Sequence, residues 1–353
     1  MALCLSKMKR VLLILVLTTV VVTGLMIAVG YVATMGVVGH FAPTFRSLPK
    51  EYGIEAETIS FKSLDGVDLK GWWISAQGNR DSPATVILAH GNGGNRSSML
   101  SRAVFLASNG YNAFPIDLRA HGESSGNYMT PGYLEALDVV GAVEAVKRKG
   151  LSGPFIALGH SYGARASLWA AAQTKDISAV IADSAFISIY ATLRRQAAHV
   201  GTDPNASFWE GTGLQLANAL SESALARSFM GSVYEWRTGK RMTAQFDDVR
   251  PAIAQIGDRP ILFIVGDKDY IAPLEDSRQM YDAASSPRKA MVVIAGANHN
   301  STFDTNPTLY ETEVVAFLGA AIRPNQSMKP TAPLQSKFSV FAMTPCRGLS
   351  VSR

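Results

Sequence analysis

The stretch Pro154-Phe-Ile-Ala-Leu-Gly159-His160-Ser161-Tyr162-Gly163-Ala164-Arg165-Ala166 restricts the fold more than any other part of the 353-residue chain. It begins as a short apolar run ending at Leu158, the length of a buried strand. Gly-x-Ser-x-Gly follows, and then Ala164 to Gln173 reads as an alanine-rich helix. A serine on a strand-to-helix turn stands proud of the sheet edge, where it can act as a nucleophile. Such a turn is tight, so Gly159 and Gly163 fall where a Cβ would meet neighbouring backbone. The helix that follows aims its partial positive charge at chemistry beside Ser161.

The same strand-then-helix rhythm runs through the rest of the chain. Glu57–Lys62 and Val67–Ile74 flank Leu64-Asp65-Gly66, a hairpin signal between two alternating runs. Ala84–Ala89 is a buried strand running into His90-Gly91-Asn92-Gly93-Gly94-Asn95, and Ser97–Ser108 is the next helix. Tyr111–Ile116 is a strand ending in Asp117-Leu-Arg119-Ala120-His121-Gly122-Glu123-Ser124, and Pro131–Lys149 is a helix with a basic end. After the serine segment come strands at Ile177–Ala182, Pro260–Val265 and Lys289–Ile294, with a closing helix at Pro307–Ile322.

Taken together, these segments resemble the α/β-hydrolase superfamily. Gly159-His160-Ser161-Tyr162-Gly163 looks like its nucleophile elbow, and His90–Asn95 looks like its oxyanion loop. Asp117–Ser124 is similar to a family signature in which Ala120 replaces the usual glycine, and it takes a scaffolding role. Gly266-Asp267-Lys268-Asp269 followed by Pro273 resembles the turn that carries the acid, and Gly296–Asn300 resembles the histidine loop. The resemblance covers roughly Thr58 to Ile322 and is greatest to membrane-anchored serine hydrolases of the lysophospholipase-like and serine-aminopeptidase-like group. It implies an α/β fold with a mostly parallel central sheet, helices on both faces, and a cap inserted after the sixth strand.

The resemblance further implies that Ser161 is the nucleophile, His299 the general base and Asp269 the acid that orients it. The implied oxyanion donors are the backbone N–H groups of Asn92 and Tyr162. Asp183, at the end of its strand, competes for the role of acid, and Asp267 is a nearer alternative. The expected reaction is hydrolysis of carboxylic esters, lipid or other acyl esters, through an acyl-enzyme. Amide or peptide cleavage, acyl transfer, and a non-catalytic binding member are the rival readings.

Three regions are expected: residues 1–40 as an N-terminal membrane anchor, 41–322 as the hydrolase domain, and 323–353 as a disordered tail. The run from Val11 to Gly39 has no charged residue. It exceeds the roughly 20 apolar residues that span a bilayer. Lys7, Lys9 and Arg10 precede it, which predicts a single-pass anchor with the hydrolase domain on the non-cytoplasmic side. The cap is expected at about 186–258, with helices near Ile189–His199 and Leu214–Phe229 and with Trp209, Met230, Tyr234, Trp236 and Met242.

Charge removes one class of partner. Eight of the 33 basic residues lie in the two ends, so the middle sets 25 bases against 28 acids and has no basic footprint for nucleic acid. Cys4 and Cys346 sit at opposite extremes, and the six histidines lack zinc spacing, so no metal and no organic cofactor is expected. The glycine-rich loop at His90–Asn95 has no Gly-Lys-Ser/Thr ending and is no phosphate cradle of that kind.

Overall fold

The computed structural model describes residues 8–24, 45–78, 82–202 and 247–322, with a few isolated positions between 228 and 239. Residues 8–24 are helical (α1), with their apolar side chains exposed throughout. Among the described residues no helix is long and apolar enough to cross a membrane. The remainder of the uncharged run, 25–39, lies outside the described residues, as do the tail 323–353 and, apart from Ser228, the helix anticipated at Leu214–Phe229.

Eight strands form one sheet: β1 (Glu57–Lys62), β2 (Asp68–Trp73), β3 (Thr85–Ala89), β4 (Asn112–Asp117), β5 (Phe155–His160), β6 (Ile177–Asp183), β7 (Ile261–Gly266) and β8 (Lys289–Ile294). Their order is β1-β2-β4-β3-β5-β6-β7-β8. The Asp-Gly turn pairs β1 and β2 antiparallel, with Lys62 opposite Asp68, and β2 is antiparallel to β4. From β4 to β8 every pairing is parallel. Parallel strands must be covered on both faces, and β3, β4 and β7 are accordingly buried along their whole length.

Helices supply that cover. They are α2 (Leu100–Ser108), α3 (Glu135–Arg148), α4 (Tyr162–Gln173), α5 (Ile189–Thr202), α6 (Arg250–Ile256), α7 (Leu274–Ala283), α8 (Thr302–Thr305) and α9 (Pro307–Ile322). One apolar layer joins Val143, Trp169, Ile253 and Met280 to one face of the sheet. The other joins Leu106, Phe303, Val314 and Phe317 to the opposite face. Each such side chain, taken fully out of water, contributes roughly 1.5–3 kcal/mol.

The chain departs from the sequence expectation in two places. The helix expected at Ser97–Ser108 starts as a 3-10 turn, Arg96–Met99, capped by the Asn95 side chain, before α2 begins at Leu100. Residues 250–256 fall inside the cap expected at about 186–258, yet α6 buries Ala252, Ile253 and Ile256 in one apolar layer against the sheet. Pro251 at the start of that short helix masks it in the sequence, because a proline reads as a breaker unless the first-turn exception applies. Of the aromatic and methionine residues singled out in the insertion, only Trp236 is described, and it is 79% exposed.

The parallel register sets Ala89 beside Gly159, His160 beside Asp183, and Gly266 beside Ile294. The carboxyl ends of β3, β5, β6, β7 and β8 therefore open onto one edge, where open α/β sheets place their ligands.

Candidate active site

Ser161 holds φ 55° and ψ −116°, backbone that an L-residue adopts only under constraint, at a cost of about 1–3 kcal/mol. The constraint is visible on both sides. The Ser161 N–H donates to the Asp183 carbonyl at 2.9 Å, and its own carbonyl accepts from Ala164 and Arg165. A Cβ on Gly159 would collide with the Gly163 carbonyl, and a Cβ on Gly163 would collide with the Ala89 carbonyl at the end of β3. Both obstacles are backbone, which cannot swing aside. Gly163→Ala is therefore expected to unfold the elbow or the domain, a loss above about 4 kcal/mol of the kind that marks a named steric cause. A variant with a wild-type thermal midpoint would contradict this packing.

Ser161 Oγ and His299 Nε2 are 2.8 Å apart, and His299 Nδ1 and Asp269 Oδ2 are 2.8 Å apart. All three residues are buried, between 4% and 7% exposed. The other oxygen of Asp269 accepts the N–H groups of Ile271 at 2.9 Å and Ala272 at 2.8 Å. The residues named from sequence thus meet in one hydrogen-bonded line, built by loops after β5, β7 and β8.

Neither rival acid touches His299 by hydrogen bond. Asp267 instead accepts the Gly296 N–H at 2.7 Å and props the histidine loop from below. Asp183 is wholly buried and binds Arg102 Nη2 at 2.8 Å, Thr302 Oγ1 at 2.8 Å and Tyr310 Oη at 3.1 Å. Burial alone pushes the Asp183 carboxyl up, but the Arg102 guanidinium, the neighbouring His160 imidazole and the Thr302 hydroxyl together hold the group well below the usual carboxylate range. His160 Nδ1 lies 3.8 Å from Asp183, too far for a hydrogen bond, and is buried with no other partner.

The Arg102–Asp183 network lies under the elbow and was not anticipated. Its only sequence signal is an arginine on an otherwise apolar helix, Leu100-Ser-Arg102-Ala-Val-Phe-Leu. Arg102→Met leaves the Asp183 charge buried and uncompensated, so unfolding free energy is expected to fall by about 3–5 kcal/mol in denaturant titrations. A loss under about 1 kcal/mol would mean that the pair contributes little.

The loop after β3 is fastened by two histidines. The Leu118 N–H donates to His90 Nε2 at 3.1 Å, so His90 carries its proton on Nδ1, which donates to the Gly91 carbonyl at 2.7 Å. The Gly93 N–H likewise donates to His121 Nε2 at 3.2 Å, leaving His121 Nδ1 to donate to the Arg119 carbonyl at 2.9 Å. These imidazoles stay neutral. Burial pushes His90 down to about 4, and burial with the neighbouring His90 pushes His121 down to about 4. The sign follows directly. Unfolded histidines take up protons from about pH 6.5 downward and these folded ones do so only near pH 4, so stability drains as pH falls through that window. Taken alone, each imidazole is worth about 3 kcal/mol. The thermal midpoint of the wild type is expected to drop more steeply between pH 6.5 and 4 than that of His121→Gln. Parallel curves for the two proteins would contradict it.

This fastening also sorts the loop's donors. The amides of Gly93, Gly94 and Asn95 are taken by His121 Nε2, the Gly91 carbonyl and Ser98 Oγ. A free donor from the loop must come from its first half, Gly91 or Asn92. That half leans on the elbow, since a Cβ at Gly91 would lie 3.2 Å from Ser161 Cβ. Tyr162 is the first residue of α4, so its amide has no partner inside the helix. Asp117 accepts the Arg96 and Glu123 amides and the Arg96 guanidinium, which lies over the rings of both Phe45 and Trp72. That is the scaffolding role expected of its loop. Ala120, where a glycine is usual, takes φ 58° and is fully buried. Among the described residues no group of three acidic, histidine or cysteine side chains could hold a metal.

The model of the family described as serine aminopeptidase, S33, matches residues 80–306, more than half of the chain. The chain belongs to the serine aminopeptidase S33 family. This S33 protein is 28% identical over 275 residues to the uncharacterized protein YfhR of Escherichia coli O157:H7, covering 76% of this chain and 82% of that one. In fold it is similar to the Pyrococcus furiosus esterase Pf2001, at a TM-score of 0.62 and 24% identity, covering 79% of this chain and 97% of the other. It is also similar to Est1E of Butyrivibrio proteoclasticus, solved with ferulic acid, at a TM-score of 0.52 and 19% identity, covering 74% of this chain and 98% of that one. The S33 chain is a hydrolase of the α/β fold, with its strand order and its serine turn in the places this fold requires.

Proposed function

We propose that this protein is a serine hydrolase that cleaves carboxylic esters through an acyl-enzyme on Ser161. The observation that carries the reading is the line of two 2.8 Å hydrogen bonds from Ser161 through His299 to Asp269. His299 Nε2 takes the Ser161 proton as Oγ attacks the acyl carbonyl. The oxyanion is held by the N–H groups of Tyr162 and Asn92, the first at the positive end of α4. As the intermediate collapses, His299 returns the proton to the leaving alkoxide and the alcohol departs. Water then gives a proton to His299 as it attacks the acyl carbonyl, and His299 returns that proton to Ser161 Oγ as the acyl bond breaks, releasing the acid.

Ester cleavage is favoured over removal of an N-terminal amino acid by the state of the neighbouring carboxylates. An aminopeptidase must hold a substrate ammonium, and among the described residues the two carboxylates at the strand ends beside Ser161, Asp269 and Asp183, are each occupied by donors. The names of Pf2001 and Est1E point the same way, as an esterase and as a protein solved with a carboxylic acid. The test is a substrate panel on the purified protein: p-nitrophenyl acyl esters of increasing chain length beside aminoacyl p-nitroanilides. Turnover of esters at least about 100-fold above anilides is expected. The reverse order would overturn the ester reading and favour peptide cleavage. A lipid or other acyl ester is the expected natural substrate.

The uncharged run Val11–Gly39 behind Lys7, Lys9 and Arg10 supports a membrane anchor with the hydrolase domain on the non-cytoplasmic side. Activity is expected to stay with membranes after alkaline carbonate washing, and release into the wash would contradict an anchor.

A further inference from the structure

The helix α5 follows β6, in the segment read as insertion, and one of its side chains reaches the turn that carries Asp269. Arg195 donates to the Ile271 carbonyl from Nε at 3.2 Å and from Nη2 at 2.9 Å. Thr192, one turn earlier, sends its hydroxyl to the same oxygen at 3.4 Å. The guanidinium is held in place by Asp276 at the start of α7, at 2.8 Å, and Asp276 in turn accepts the Ile187 N–H at 3.1 Å.

The Ile271 carbonyl belongs to the same peptide group as the Ala272 N–H. That N–H donates to Asp269 Oδ1 at 2.8 Å. A cation on the oxygen of a peptide group draws charge from it and strengthens the N–H on the opposite side. The fixed arginine fork also pins the plane of that peptide, because it can neither rotate nor lose its charge. Oδ1 is therefore held by a reinforced donor, which leaves Oδ2 as the oxygen that faces His299.

We propose that Arg195 is a positioning residue that orients Asp269 through the Ile271–Ala272 peptide, and so ties the segment after β6 to the reacting serine. Arg195 touches neither substrate nor reacting atoms. The inference rests on the reading of Asp269 and His299 as the partners of Ser161. It gives the inserted segment a part in turnover that is separate from covering the site. Displacing α5 would loosen the acid.

The test compares the full-length wild type with Arg195→Met and Arg195→Lys in steady-state hydrolysis of one p-nitrophenyl ester. Rates are normalised to the folded fraction by circular dichroism. Loss of one charge-assisted hydrogen bond corresponds to about 10- to 100-fold. Arg195→Met is expected to lose that factor in kcat with KM held within about threefold. Arg195→Lys, which keeps the charge, is expected to recover part of the loss. A bracket for α5 alone would lower the thermal midpoint without moving kcat of the folded protein. That result, or a change confined to KM, overturns the proposal. The two readings separate cleanly: an inert wild type sinks the Ser161 mechanism and this inference with it, whereas an active wild type with a wild-type Arg195→Met sinks only this inference.

Discussion

Replacing Ser161 by alanine is expected to lower ester turnover by a factor on the order of 10⁵–10⁶ while leaving the fold standing. In the proposed mechanism Oγ is the atom that bonds to the acyl carbon, which makes the effect large. Without it no acyl-enzyme forms, and only the oxyanion donors and substrate positioning remain. The small structural effect follows from its surroundings. The strained backbone at residue 161 is enforced by Asp183, Gly159 and Gly163, none of which needs the hydroxyl. The Oγ partner is His299 Nε2, which alanine leaves in place. Thermal unfolding and ester kinetics on the same preparation check both halves. Turnover within about tenfold of wild type would remove Ser161 from the mechanism.

Asp269→Asn is expected to cost about 10⁴ in kcat, although the side chains are nearly isosteric. The reason lies in the two amides. Ile271 and Ala272 both donate to Oδ1, so an asparagine must turn its carbonyl oxygen toward them. Its NH₂ then faces His299 Nδ1, which is forced to accept. The ring proton moves to Nε2 and points at Ser161, where a base is required. The variant should therefore fold normally, with a thermal midpoint near that of wild type, and fail in chemistry. Alanine at 269 should be less damaging to the tautomer but more damaging to the loop, because the two amides then lose their acceptor. A full-rate Asp269→Asn would remove Asp269 from the mechanism.

Much of the fold was legible because its elements are short and strongly patterned. The apolar runs before Gly159, Asp183 and Gly266 have the length of buried strands, and each ends at the sheet edge where the site lies. The Asp65-Gly66 turn gave the antiparallel pair at the sheet edge. Ser161 and His299 were legible through glycine spacing and chain order. What stayed hidden depends on side chains that meet across long sequence separations. Arg102 reaches Asp183 and Tyr310 from α2, and Arg195 reaches Ile271 from the segment after β6. A single arginine in a helix carries no mark of its partner. The pairing of His90 with His121 was hidden for the same reason, because each looks like a loop histidine until β3 and β4 lie side by side. Helix α6 was missed because a proline at its first turn reads as a break.

The central claim is that Ser161, activated by His299, is a nucleophile. The most direct measurement is reaction of the full-length protein with a fluorophosphonate, followed by proteolysis and mass spectrometry of the adduct. A single phosphonylated residue, Ser161, is expected in wild type, with no adduct in Ser161→Ala and slow labelling in His299→Ala. Modification elsewhere, or equal labelling of wild type and Ser161→Ala, would contradict the account.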